Sequence, residues 1–216
     1  LTRMEAPVIE QVRRISFFTL ARESFTVVSG AVTCGILIGG LYALGPVYAT
    51  LIGLDVAKTS TFMASAIIAA MLLAWPLGRL CDRFDRRRVM FWVVFTAAIA
   101  AVAVSFTGAG NPWLLMLLVG IFTGLSAMIY PISVAITNDR MESPRIVAAS
   151  ATLLLSYGVG RVIGTIAMAE LNNLMGPIGL LVGNAGVLFG LGADPSLRIS
   201  STVPYTHLTL PPTDPV

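Results

Sequence analysis

The sequence predicts an all-α, polytopic membrane protein built from six transmembrane helices. Three observations carry that prediction. Apolar residues (AVILMFWYC) make up 56 % of the 216 residues and charged residues only 12 %, about half the charged share usual in soluble domains. Mean hydropathy is +0.85. The charges are not spread along the chain but fall between long apolar runs. A water-soluble domain of this length would have too little charge to cover its surface.

The N-terminal stretch, 1–26, holds Arg3, Arg13, Arg14 and Arg22 with Glu5, Glu10 and Glu23. It has no short apolar core with a cleavage site, so it reads as a cytoplasmic linker and not as a signal peptide. The charge-free run Ser24–Leu54 predicts a first span near 28–52, and Thr59–Gly78 a second near 60–78. Val89–Asn138 is 50 residues without charge. One helix of that length would run to about 75 Å against a hydrocarbon core of about 30 Å, so the run must hold two spans. They are expected near 89–107 and 113–137, turning at Gly108-Ala109-Gly110-Asn111-Pro112. Ile146–Ala169, apolar apart from Arg161, predicts a fifth span near 147–169, and Leu171–Ala193 a sixth near 175–192. The six spans form one domain, 27–193, and 194–216 is a Pro- and Thr-rich tail expected to be disordered.

Lys and Arg in the loops set the orientation. Twelve of them fall on the side that holds the linker, the second and fourth loops and the tail; Lys58 alone falls on the other, and Arg161 lies within a span. Both termini are therefore expected in the cytoplasm, with the bilayer as the chain's surroundings. The net charge of +3 is not a nucleic-acid footprint, because the basic residues share no solvated face. Cys34 and Cys81 have no partner pattern and read as unpaired thiols. No span contains His, which excludes a Ser-His hydrolase and a His-ligated metal inside the membrane. No cofactor, metal or catalytic residue is expected.

Gly35, Gly39 and Pro46 recur with the same spacing as Gly120, Gly124 and Pro131, 85 residues later. Three spans separate the copies, so they cross in opposite directions. This predicts an inverted 3+3 repeat. The glycines are expected to bring helix backbones close together. The prolines are expected to bend their helices.

The second loop reads Gly78-Arg79-Leu80-Cys81-Asp82-Arg83-Phe84-Asp85-Arg86-Arg87-Arg88. It resembles the G-x-L-a-D-r-x-G-r-k signature of the major facilitator superfamily, which lies between the second and third helices of a six-helix half. Gly78, Leu80, Asp82, Arg83, Phe84, Arg86, Arg87 and Arg88 fit; Asp85 stands where the family prefers a small residue. On its own chemistry Asp82 is expected to cap or charge-stabilise a helix N-terminus and to pair with a nearby Arg. The resemblance implies that the loop also latches the cytoplasmic side of one conformation. With Gly-Gly-Leu-Tyr-Ala-Leu-Gly-Pro at 39–46 and Leu-Leu-Leu-Ser-Tyr-Gly-Val-Gly at 153–160, it extends over residues 25–190. It then implies the C-terminal six-helix half of a transporter from a little-characterised bacterial branch, in the inner membrane. The partners it implies are an N-terminal six-helix half, a small solute and, by coupling, protons. Val203–Pro211 resembles a translated sequencing adapter, so no function is assigned to the tail or to His207.

Arg161 is the sharpest candidate in the membrane. It lies 16 residues past Arg145, about 24 Å along a helix and too deep to snorkel easily. Glu170, nine residues on, would sit on the opposite face. An intramembrane charge is costly and points to function. Its partner would be a carboxylate from elsewhere, helix-end carbonyls, water or an anionic solute. The resemblance turns the first and fourth helices toward a central cavity, which makes Tyr42, Tyr130 and Asn138 candidate lining residues; Tyr157 is a further polar group on the fifth. The function expected is solute movement by alternating access within a secondary transporter. The rivals are a non-transporting scaffold and a homodimer of six-helix units. Reporter fusions at Arg3 and Arg198 check the topology: both should report the cytoplasm, and a periplasmic signal from either would contradict the charge rule.

Overall fold

A computed structural model of the chain describes residues 25–107, 110–139, 141 and 143–194. The linker before Phe25, Gly108 and Ala109 of the third turn, Arg140, the side chain of Arg145, and the tail with His207 lie outside the described residues. The described residues form six α-helices and no strand: α1 Phe25–Leu51, α2 Val56–Arg83, α3 Arg86–Thr107, α4 Pro112–Asn138, α5 Ser143–Met175 and α6 Ile178–Gly192. Five are long and apolar enough to cross a membrane, and α6 is a shorter apolar helix of 15 residues.

The elements fall where the charge gaps put them, but two run longer. α2 has 28 residues and α5 has 33, where the apolar runs alone predict 60–78 and 147–169. Charged residues such as Lys58, Arg79 and Glu170 do not end these helices. They lie on exposed turns, where long side chains reach water while the backbone stays helical.

Capping fixes the starts. Asp55 Oδ1 accepts from the Lys58 N–H at 2.8 Å and caps α2. That bond is the main reason why the Asp55 carboxyl is held below the usual carboxylate range. Asn111 Oδ1 accepts from the Leu114 N–H at 3.2 Å, and Pro112 opens α4, where the missing proline N–H costs nothing. Gly53 and Gly176 take positive φ, 86° and 68°, in the turns after α1 and α5. Every connection is short, so neighbouring helices run antiparallel, and α1 and α4 point in opposite directions. α1, α2 and α4 continue as helix through Pro46, Pro76 and Pro131.

α1 packs most extensively on α5, and α2 on α4. Shifting each helix by three positions turns the first pair into the second. It also turns α3/α4 into α6/α1 and leaves α1/α4 and α3/α6 unchanged, and all these pairs are in contact. This is the contact pattern of an inverted 3+3 repeat. α1 and α4 form the centre, α3 and α6 close the back, and α2 and α5 flank the front.

The two flanking seams are built from small residues. A Cβ on Gly39 would stand 2.6 Å from the Arg161 carbonyl oxygen, and one on Gly35 would overlap that of Tyr157. Facing them, a Cβ on Gly160 would overlap the Val32 backbone, and one on Gly164 the Ile36 backbone. In the second seam, a Cβ on Gly120 would stand 2.9 Å from Ala69 Cβ, and one on Gly124 would stand 3.0 Å from the Ala69 carbonyl oxygen. Ser65 Oγ adds a bond across that seam to the Met116 carbonyl at 3.2 Å.

Candidate functional site

At the front, α1 contributes Tyr42, α4 Tyr130, and α5 Tyr157 and Arg161. The Tyr130 and Tyr157 rings lie 5.1 Å apart at 48°. Arg161 Cζ lies 5.9 Å from the centre of the Tyr157 ring; the two residues are one helical turn apart on α5. Tyr42, Tyr130 and Tyr157 all pack against the same apolar core cluster. The three tyrosines are half-buried and Arg161 is exposed. Behind them the Cys34 thiol donates to the Ser126 carbonyl at 3.3 Å, tying α1 to α4.

The glycine seam sets the height of Arg161. Its backbone rests against Gly35 and Gly39, so α5 is held in register with α1 at this level. It lies 18 residues after Ser143 and 14 before Met175, about 27 Å and 21 Å from the helix ends. The guanidinium has five donors and no acceptor. The Tyr157 ring face satisfies its charge in part but accepts few of those donors. A carboxylate or phosphate group would take two in parallel. Asn138 does not join this group: it is the exposed last residue of α4, eight positions or about 12 Å beyond Tyr130. Glu170 is exposed near the far end of α5.

The Gly78–Arg88 stretch is less a loop than two helix ends. α2 runs to Arg83 and α3 starts at Arg86, so only Phe84 and Asp85 connect them. Asp85 is the cap: its Oδ1 accepts from the N–H groups of Arg87 at 2.9 Å and Arg88 at 3.1 Å. This corrects the expectation for Asp82, which is exposed on the last turn of α2 and caps nothing within the described residues. It also explains the acid at a position where a small residue is usual: a capping carboxylate replaces a tight glycine turn. Arg86 crosses to α4, donating to the Ala135 carbonyl at 2.8 Å and to Asp139 Oδ1 at 2.6 Å. A cation is well placed there, on the last carbonyls of a helix. Arg79 Cζ lies 4.0 Å over the Trp75 ring. Leu80, Asp82 and Arg83 are exposed, and nothing lies within 4 Å of where a Gly78 side chain would be.

The sequence matches the family model described as Major Facilitator Superfamily over residues 14–204. The chain belongs to the major facilitator superfamily. It is 35 % identical over 137 residues to the "Uncharacterized MFS-type transporter YcaD" of Escherichia coli O139:H28 (strain E24377A / ETEC), an alignment covering 63 % of this chain and 35 % of that protein. It is 34 % identical over 150 residues to the protein of the same name from Salmonella paratyphi B (strain ATCC BAA-1250 / SPB7), covering 69 % and 38 %. The chain thus spans a little over a third of the length of these relatives. The superfamily is one of multi-pass transporters and not of enzymes.

Several residues that hold the helices together around this cluster escape the sequence reading. Gly160 and Gly164 face Gly35 and Gly39, and their own Gly-x3-Gly spacing is the signal for them. Ser65 and Ala69 carry the same spacing with small residues in place of glycines. Asp139 as the partner of Arg86 has no local signal, because 53 residues separate them. The cap makes a prediction. Asp85→Ala should cost about 1 kcal/mol of stability, whereas Asp82→Asn should leave thermal unfolding in detergent unchanged; equal losses would contradict the assignment of the cap.

Proposed function

We propose that this chain is one six-helix half of a secondary transporter that moves a small anionic solute by alternating access. Arg161, Tyr157, Tyr130 and Tyr42 line its side of the cavity, and a second six-helix half covers the front. The carrying observation is the position of Arg161. It lies mid-helix on the open side of the bundle, with an aromatic face beside it and no acid within eight residues on α5. A charge at mid-membrane depth calls for an opposite charge, and the solute supplies it. The alignments cover 35 % and 38 % of the relatives, which leaves room for a second half. The exposed Asp82 and the open space at Gly78 fit a cytoplasmic latch against that half. Proton coupling would need an acid from the other half, because this one has no acid deep in the spans. The setting is the bacterial inner membrane with both termini cytoplasmic.

A thermal-shift panel of carboxylates, organophosphates and neutral sugars, run on the full-length protein, tests the reading. A cognate anion at a hundred times its Kd should stabilise by about 2.7 kcal/mol. That gain should vanish in Arg161→Ala and weaken about tenfold in affinity in Arg161→Lys, which loses the two-pronged contact. Stabilisation by a neutral solute that Arg161→Ala leaves intact would contradict it. Rescue of Arg161→Ala by neutralising an acid of the other half would make the partner a protein side chain instead. Saturable uptake by residues 1–216 alone would indicate a homodimer.

A further inference from the structure

One glycine of α5 has no packing reason. Gly158 is exposed in the middle of the helix, directly after Tyr157 and three residues before Arg161. A side chain there would meet nothing within 4 Å. Gly160 and Gly164 differ, because the α1 backbone presses on both. Glycine inside a helix is costly beside alanine. Where no neighbour demands it, it points to something that approaches the backbone from outside.

The surroundings of Gly158 say what that is. At about 100° per residue, Tyr157 lies about 100° round the helix from Gly158, and Arg161 stands between them, about 60° from Gly158. The guanidinium therefore has the Tyr157 ring on one side and bare backbone on the other. Along the axis the gap is bounded by apolar side chains. Leu154 and Leu155 lie one turn before it and Val162 one turn after, and all three are exposed. Leu155 and Val162 are seven residues apart, about 10 Å along the helix, which leaves room for one six-membered ring between them. The result is a shallow notch with a peptide floor, aliphatic ends and a cation along one side. Among the described residues no carboxylate pairs with Arg161. A carboxylate would take two of its N–H groups in parallel. A phosphate or a short aliphatic acid would use the arginine and leave the notch empty. A saturated ring is puckered and too thick to lie flat on the floor. A planar ring carrying a carboxylate uses both parts.

We propose that the solute is an aromatic carboxylate, an assignment that rests on the reading of the front cluster as an anion site. Its ring lies on the Gly158 backbone between Leu155 and Val162, and its carboxylate lies on Arg161. Tyr157 holds the guanidinium from the opposite side. Gly158 is thus a specificity residue: it selects for flatness, and Arg161 selects for charge.

Calorimetric titration of the full-length protein in detergent tests this with matched acids. Benzoate and phenylacetate are compared with cyclohexanecarboxylate and cyclohexylacetate, which have the same charge and carbon skeleton size but no flat ring. Each aromatic acid should bind roughly tenfold more tightly than its saturated twin, the low end of what shape in an apolar pocket gives. Benzamide, flat but uncharged, should bind at least tenfold more weakly than benzoate. Gly158→Leu should remove the preference for the aromatic acids. The unfolding temperature of that variant without ligand should be unchanged or higher, since leucine favours the helix. Equal binding of the twins, both lost in Arg161→Ala, would overturn the aromatic assignment and leave the anion reading standing. No binding of any of the four acids would also overturn it; the anion reading falls with it only if organophosphates fail as well. A clear drop in the unfolding temperature of unliganded Gly158→Leu would mean that a helix of the second half packs on the notch, and the proposal would fall.

Discussion

The backbone contact between α1 and α5 is the constraint on which the rest of the structure depends. Lipid tails are as apolar as leucine, so membrane helices gain little by hiding hydrophobic side chains from one another. They associate through close packing and a few polar bonds. Gly35 and Gly39 on one helix, with Gly160 and Gly164 on the other, remove the side chains that would hold the backbones apart. Everything at the front follows. The seam fixes the rotation of α5, which turns Tyr157 and Arg161 outward, and it fixes the height of Arg161 against Gly39. α1 then packs on α4, where Cys34 meets Ser126, and this brings Tyr130 to Tyr157.

The repeat uses the same solution twice and then diverges. Gly120 and Gly124 meet Ser65 and Ala69 in the α4/α2 seam, as Gly35 and Gly39 meet Tyr157 and Arg161 in the α1/α5 seam. The backbones are equivalent; the side chains are not. In α2 the two positions carry small residues that complete the packing. In α5 they carry a tyrosine and an arginine, whose backbones do the packing while their side chains stand at the front of the bundle. A symmetric scaffold thus holds an asymmetric site. This is why the charge stands on one flank and not on both.

Most of the fold is legible in the sequence, because its strongest signal is the absence of charge. Six spans, the Asn111-Pro112 start of α4 and the 85-residue repeat all survive in the structure. Helix ends are less legible: in α2 and α5 the charged residues lie on helical turns beyond the apolar core, so hydropathy stops before the hydrogen bonding does. The candidate site is legible in part. Arg161 stands out for its cost, and the tyrosines lie on the helices that meet at the front. Asn138 stands apart from them, on the exposed last turn of α4. Asp82 misleads usefully. The motif draws attention to it, whereas the hydrogen bonds go to Asp85, the residue that departs from the motif. A signature gives residue types at positions; which carboxylate reaches the free N–H groups depends on where α3 begins.

The central claim is that backbone contact through glycine holds the bundle, and substitution of single glycines tests it most directly. Within a helix, glycine to alanine is intrinsically favourable by about 0.5–1 kcal/mol. Overpacking a tight contact costs about 1–3 kcal/mol. The two effects oppose each other, so the sign of the change reports the contact. Thermal unfolding in detergent should show Gly160→Ala and Gly164→Ala clearly destabilised, because a Cβ there would overlap the backbone of α1. Gly186→Ala, with nothing within 4 Å, should be unchanged or more stable. Gly160→Ala and Gly164→Ala as stable as Gly186→Ala would mean that α1 and α5 do not meet at these residues, and the placement of Arg161 would fall with that contact.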